Sequence, residues 1–239
     1  TTYGAQWVVA IAIYSIYLIL MYAWDVPNCG TAQTGMHCNA AAYIDEKVFG
    51  THHMYLWPTC YPDCPHFDPE GLLTTIGATM STFLGLYYGY VFLHHTKPVA
   101  RLLQMIPLGL IMLIIGLILN YETGIAFNKN LYSFSFMIFM AGCAALFTVL
   151  CYVVIDILKQ DKVVFPFIMM GMNSITLYIG SEVFPRWPMV MLLWDGKTLW
   201  EKIVDHQNEV EGFFWALFNA CLYMFVGWVM YRKKIFIKL

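Results

Sequence analysis

Six runs of this chain, near Ala5–Trp24, Leu72–Leu93, Leu102–Asn120, Leu131–Leu158, Val163–Phe184 and Phe213–Tyr231, are apolar over lengths that water would not tolerate. At 1.5 Å of rise per residue, roughly 20 apolar residues in a helix cross a hydrocarbon core of about 30 Å. Backbone polar groups in lipid must be satisfied within their own segment, so each run is read as a helix, and Pro107, Pro166 and Gly171 are tolerated inside them. The predicted fold class is an all-α membrane protein with about six transmembrane helices and one ordered, cysteine-containing outward loop. With 60% hydrophobic and 12% charged residues, the chain has more apolar surface than a core of 239 residues could enclose, so the lipid bilayer is its first partner. No basic tract points to nucleic acid.

Three stretches organise the chain: residues 1–24 as the first transmembrane helix, 25–71 as a polar outward (luminal) loop, and 72–239 as a five-helix bundle with a further outward loop near 185–212. Basic residues orient it. The turn with Lys97 and Arg101, the turn with Lys159 and Lys162, and the tail with Arg232, Lys233, Lys234 and Lys238 hold eight of the 13 Lys and Arg. This places both termini on the cytosolic or matrix side. Thr1 stands almost directly at a span, with no initiator methionine and no charged leader, so the chain reads as a piece or processed product of something longer.

Cys29, Cys38, Cys60 and Cys64 share the outward loop, whereas Cys143, Cys151 and Cys221 fall in spans and read as packing residues. An even number in a non-cytosolic loop favours two disulfides, in any of three connectivities. Zinc is the rival, since His37, His52, His53 and His66 lie in the same loop and Cys60-x3-Cys64 resembles a ligand pair; the disulfide reading is preferred and no metal is expected. Further on, Asp68 is suited to cap the second span, Pro69 to occupy its first turn, and Glu70 to meet the positive end of the helix dipole ahead of Gly71.

The run Cys38-Asn39-Ala40-Ala41-Ala42-Tyr43-Ile44-Asp45, followed by Gly50-Thr51-His52-His53-Met54-Tyr55, Pro58 and Asp68-Pro69-Glu70-Gly71, resembles the signature loop of the heparan-alpha-glucosaminide N-acetyltransferase family, most of all its plant and protist members. Asn128-Lys129-Asn130-Leu131-Tyr132-Ser133, Gly171-Met172-Asn173-Ser174-Ile175 with Tyr178 and Glu182-Val183-Phe184, and the terminal Tyr231-Arg232-Lys233-Lys234-Ile235-Phe236 are similar to later parts of the same family. Where the family has an arginine after Tyr-Ile-Asp, this chain has Glu46. The resemblance implies the C-terminal half of a polytopic enzyme that transfers acetyl from cytosolic acetyl-CoA to the amine of a luminal glucosamine. It also implies that the essential histidine lies upstream, so no catalytic residue is assigned in this chain.

Several polar residues carry candidate roles beside a plainer one. Asn173 and Ser174, inside the fifth span, should face the bundle interior, where they either bond neighbouring helices or line an acceptor or acetyl-CoA passage together with Glu182. Lys97, Arg101, Arg232, Lys233 and Lys234 suit the phosphates of coenzyme A and equally satisfy the positive-inside rule. His94 and His95 read as interfacial anchors. His52 and His53 could serve as general bases, but folding the loop is the preferred reading. Tyr55, Trp57, Trp187, Trp194 and Trp200 suit an interfacial belt or a sugar face. Thr198–Val210 has helical spacing suggesting a short helix on the membrane surface.

Two functional classes emerge. One is an acetyltransferase active only when joined to its N-terminal half, acting on an amino sugar, in a lysosomal or other endomembrane. The other is a catalytically inactive scaffold or accessory subunit among partner membrane subunits of a larger complex. The chain has no Asn-x-Ser/Thr acceptor in its outward loops, which keeps the mitochondrial inner membrane open as the alternative. A transporter fits less well, because Asp156 and Glu182 are the ionisable groups near span ends.

Overall fold

The computed structural model describes residues 3–35, 38–55, 68–183, 193–194, 197–198 and 209–237. Eight α-helices are formed among them: α1 Tyr3–Leu18, α2 Ala40–Phe49, α3 Leu72–His94, α4 Pro98–Glu122, α5 Phe134–Tyr152, α6 Asp161–Gly171, α7 Ser174–Val183 and α8 Glu209–Arg232. A π-helical turn extends α1 through Ile19–Ala23 and another extends α5 through Val153–Ile157. Two-residue strands β1, Leu193–Trp194, and β2, Lys197–Thr198, pair antiparallel. Among the described residues five helices are long and apolar enough to cross a membrane, which makes six candidate spans if the bent pair α6 and α7 forms one. The chain is a multi-pass, essentially all-α membrane protein.

Span limits agree with the sequence reading to within a few residues at α1, α3, α4, α5 and α8. The fifth span is the correction. The apolar run Val163–Phe184 is interrupted at Met172 and Asn173, and its two halves are bent by 61°. The interior Pro166 does not cause the break, since α6 continues through it to Gly171. The predicted surface helix over Thr198–Val210 lies largely outside the described residues; its first residue is in β2 and its last two open α8.

The chain divides into two compact units, residues 1–157 and 158–239. In the first, α4 and α5 pack most closely because glycines remove the side chains that would separate them. A methyl on Gly142 would meet the Gly109 carbonyl oxygen and the Leu113 nitrogen, each at 2.7 Å. One on Gly116 would meet the backbone of Phe139. Without a hydrophobic drive between helices in lipid, this close packing is a principal source of association. The core joins Tyr14, Tyr17 and Met21 of α1 and its π turn to Leu73 and Leu84 of α3, Met112 of α4 and Met137 and Ala141 of α5. A second cluster unites Tyr88, Val91, Met105, Ala145 and Val149. Leu93, Leu103, Phe147 and other large apolar side chains on the outer faces are exposed, as lipid-facing positions should be.

In the second unit α6 and α7 pack on α8. Gly227 of α8 faces Leu177 and Met170, and the Tyr223 hydroxyl donates to the Gly180 carbonyl at 2.8 Å. Helix α8 ends in a Schellman arrangement: the Ile235 N–H donates to Met230 O and the Lys234 N–H to Tyr231 O. Lys234 takes the left-handed position with φ 56°.

Candidate functional site at the loop end of the first unit

The loop between α1 and α3 is ordered from its own chemistry. Cys29 and Cys38 are joined by a disulfide, which settles one of the open pairings. Cys60 and Cys64, like His37, Trp57, His66, Trp187 and Trp200, lie outside the described residues. Asn39 then caps α2, its side-chain oxygen accepting from the Ala42 N–H at 2.7 Å. At the other end of α2, Gly50 turns the chain with φ 74°. There the His53 ring nitrogen Nδ1 lies 2.8 Å from the Phe49 carbonyl oxygen. A carbonyl can only accept, so Nδ1 carries the proton, and the ring serves the loop's folding.

Helix α2 sets the geometry at the start of α3. Its Asp45 is fully buried, and its Oδ1 accepts the Leu72 N–H at 2.8 Å, capping α3 from 27 residues away. Asp68 is the local candidate for that task. Instead its Oδ1 accepts the Glu70 N–H at 2.9 Å, closing an Asx turn, while Pro69 and Glu70 form the turn itself and α3 starts at Leu72. Gly71 is required by space: a Cβ there would fall on the Asp45 carboxylate. The other Asp45 oxygen, Oδ2, is buried with no hydrogen-bond partner. Burial raises the Asp45 pKa above the usual aspartate value; the Leu72 N–H pulls it down and the nearby Asp68 pushes it up.

The segment before α5 is a second ordered knot. The Ser133 hydroxyl takes the Asn128 N–H at 3.0 Å and donates to the Ala126 carbonyl at 2.9 Å, which the Ser135 hydroxyl also meets. Tyr17 of α1 supports it from beneath, its hydroxyl lying 2.9 Å from the carbonyl oxygens of both Leu131 and Tyr132. Tyr132 is held at φ 54°, a conformation a bulky side chain adopts only when its surroundings impose it. Between the two knots lies a cleft of about 480 Å³ lined by Tyr55, Asp68, Pro69, Glu70, Lys129, Asn130 and Tyr132. It combines two carboxylates, an ammonium, an amide and two aromatic rings. In sequence Asp68 and Glu70 read as helix-capping residues and Lys129 and Tyr132 as parts of a motif; that they line one cleft is a non-local fact no spacing announces.

The remaining candidates are dispersed. At the opposite end of the first unit, Arg101 holds the end of α3. Its guanidinium donates to the carbonyls of His95 at 2.6 Å and Phe92 at 2.8 Å and to the Tyr152 hydroxyl at 2.9 Å, and it lies over the Phe92 and Tyr152 rings. His95 meets the Gln104 amide and His94 stacks on Tyr90. Lys97 is exposed at the start of α4. In the second unit, Asn173 is buried and binds the tail, donating from Nδ2 to the Ile235 carbonyl and accepting the Ile237 N–H, both at 3.1 Å. Ser174 is exposed beside an apolar groove shared with Leu177 and Ala220, and Glu182 is exposed in the last turn of α7. Arg232 lies over the Trp228 ring, with Lys233 and Lys234 exposed after it. Among the described residues, no group of three or more His, Cys, Asp or Glu side chains could hold a metal ion.

Fold and site together define a polytopic membrane chain with a polar cleft at one end of its first unit. No protein-family profile matches it. Over its entire length the chain is similar to heparan-alpha-glucosaminide N-acetyltransferase of Mus musculus and of Homo sapiens, at 29% identity over 259 aligned positions in each case. This bears out the resemblance carried by the motifs. The chain spans 38% of the length of either relative.

Proposed function

We propose that the chain is the C-terminal membrane half of a transmembrane acetyltransferase-like protein, which transfers acetyl from cytosolic acetyl-CoA to a luminal glucosamine amine when joined to its N-terminal half. The observation that supports this reading is where the resembling motifs lie. Residues 38–55 and 68–71 lie far in sequence from 128–133, yet together they build one end of the first unit, with Gly71 packed on the Asp45 carboxylate and the cleft lined from all three stretches. Whole-chain similarity to two proteins named for this reaction points the same way.

In such a transfer the free-base amine attacks the thioester carbonyl carbon. The C–N bond forms, the C–S bond breaks, and coenzyme A departs as the thiol with the proton that nitrogen gives up. The resemblance puts the histidine for that proton upstream, so this chain's share is to bind and orient. For the phosphates of coenzyme A, Arg101 does not fit, because its guanidinium is committed to α3 and Tyr152. Lys97 in the first unit and Arg232, Lys233 and Lys234 in the second remain suitable charges, and the positive-inside count assigns each to the cytosolic side.

The test joins this chain to the N-terminal portion of the mouse relative and measures transfer of labelled acetyl from acetyl-CoA to glucosamine across sealed vesicles. Transfer by the joined protein and none by the chain alone is the expected result. Transfer by the chain alone would overturn the division of labour. A folded, inserted but inactive joined protein would favour the scaffold reading.

A further inference from the structure

We infer that the segment Arg232–Ile237 is an anchor for anionic phospholipid, in which Lys233 and Lys234 meet the headgroups, Ile235, Phe236 and Ile237 enter the adjoining apolar layer, and Asn173 clamps the backbone in place. The inference concerns the second unit alone and does not depend on the transfer reaction.

The way the segment is held is the first argument. After Arg232 the chain leaves the helix and returns to the break between α6 and α7. There Asn173, only 1% exposed, accepts the Ile237 N–H and donates to the Ile235 carbonyl, both at 3.1 Å. Non-helical backbone at membrane depth is tolerated only where the protein satisfies its polar groups. Asn173 does so here. The apolar side chains take no part in that clamp: Ile235, Phe236 and Ile237 are 48%, 38% and 49% exposed. A tail folded for water would do the reverse, tucking in its apolar side chains and leaving its backbone to solvent.

Position is the second argument. Phe236 meets Tyr231 edge-on with ring centroids 6.4 Å apart, Tyr231 meets Phe165 at 5.3 Å, and the Arg232 guanidinium lies 5.7 Å from the centre of the Trp228 ring. Trp and Tyr collect at the level of the headgroups, so this row sets the tail at the boundary between lipid and water. Charge then selects the lipid. Lys233 and Lys234 are exposed next to the apolar triplet, and basic residues beside a membrane surface are drawn to an anionic leaflet. A soluble phosphate ligand would engage the cations and leave the three apolar side chains in water. An anionic lipid uses the whole segment.

Native mass spectrometry of the full chain in detergent tests this, with phosphatidylserine, phosphatidylcholine and coenzyme A as probes. Phosphatidylserine should be retained about tenfold more tightly than phosphatidylcholine, since two cations contribute. Lys233→Gln combined with Lys234→Gln should erase that preference. Phe236→Ser combined with Ile237→Ser should weaken both lipids and keep the preference. Coenzyme A should not displace phosphatidylserine. Equal retention of the two lipids by the native chain, a preference that persists without both lysines, or displacement by coenzyme A overturns the inference. Limited digestion with trypsin locates the effect. Phosphatidylserine should slow cleavage after Lys233 and Lys234 where phosphatidylcholine does not, and Asn173→Leu should speed it by freeing the backbone. Cleavage indifferent to phosphatidylserine removes the anchor, and cleavage indifferent to Asn173→Leu removes the clamp.

Discussion

Gly71 and Asp45 compete for the same space, and a double-mutant cycle measures it. In Asp45→Ala the charge-assisted cap on Leu72 at 2.8 Å is lost, a change that costs about 1–2 kcal/mol for an N-cap. In Gly71→Ala the new methyl overlaps the Asp45 carboxylate. The side chain must move, breaking the same bond and overpacking a buried site, for about 1–3 kcal/mol. Once Asp45 is alanine, the methyl at position 71 enters the vacated volume and nothing more is broken. The double variant should therefore be no less stable than Asp45→Ala alone, giving a coupling of about 1–3 kcal/mol. Thermal unfolding in one detergent, followed by circular dichroism, provides the four values. Strict additivity would falsify the shared-space argument.

The same carboxylate gives a pH signature. Its folded pKa is raised, so the folded chain holds the proton more tightly than the unfolded one. This contribution is complete below the unfolded pKa and is lost as pH rises through the raised folded value. The native chain should lose thermal stability across that window, and Asp45→Asn should lack that part of the slope; an identical slope in both proteins would exclude Asp45 as its source.

Three further outcomes are expected. Arg101→Lys should destabilise the detergent-solubilised chain nearly as much as Arg101→Ala, because an ammonium cannot reproduce a fork reaching Phe92, His95 and Tyr152; full rescue by lysine, read as melting temperature, would refute the rivet. Gly142→Ala should cost at least about 1–3 kcal/mol by separating α4 from α5, whereas Gly85→Ala, with open space around it, should be neutral or stabilising; equal melting temperatures for the two would contradict the close packing. Lys234→Gly should raise stability by about 1 kcal/mol, since the left-handed residue at φ 56° then carries no Cβ; a lower melting point would show that the lysine side chain matters more than its backbone.

What the sequence made legible was whatever rests on local repetition. The start of α3 at Leu72 and the end of α8 at Arg232 fall within one residue of the apolar runs, because lipid imposes a long and nearly unbroken signal. Asn173 was readable as a buried amide needing a partner, but not that Ile235 and Ile237 would supply it. The capping rule chose Asp68 by adjacency, while the fold uses Asp45, whose relation to Leu72 exists only after α2 has packed on α3. Helix α2 itself was not foreseen, being a ten-residue element in a loop dominated by its cysteines. Among those cysteines, parity suggested disulfides, and geometry was needed to show the Cys29–Cys38 pair. The cleft was the least legible feature, since it joins residues more than 60 positions apart.

Asn173 bears on the order in which the molecule can be made. Its partners lie 62 and 64 positions further along the chain, so α6 and α7 leave the ribosome long before the groups that satisfy this amide exist. Until α8 and the tail emerge, water or the insertion machinery must serve in their place, because an unpaired amide is costly in hydrocarbon. The second unit therefore completes its hydrogen bonding at the break between α6 and α7 only once the last segment of the chain has returned to Asn173.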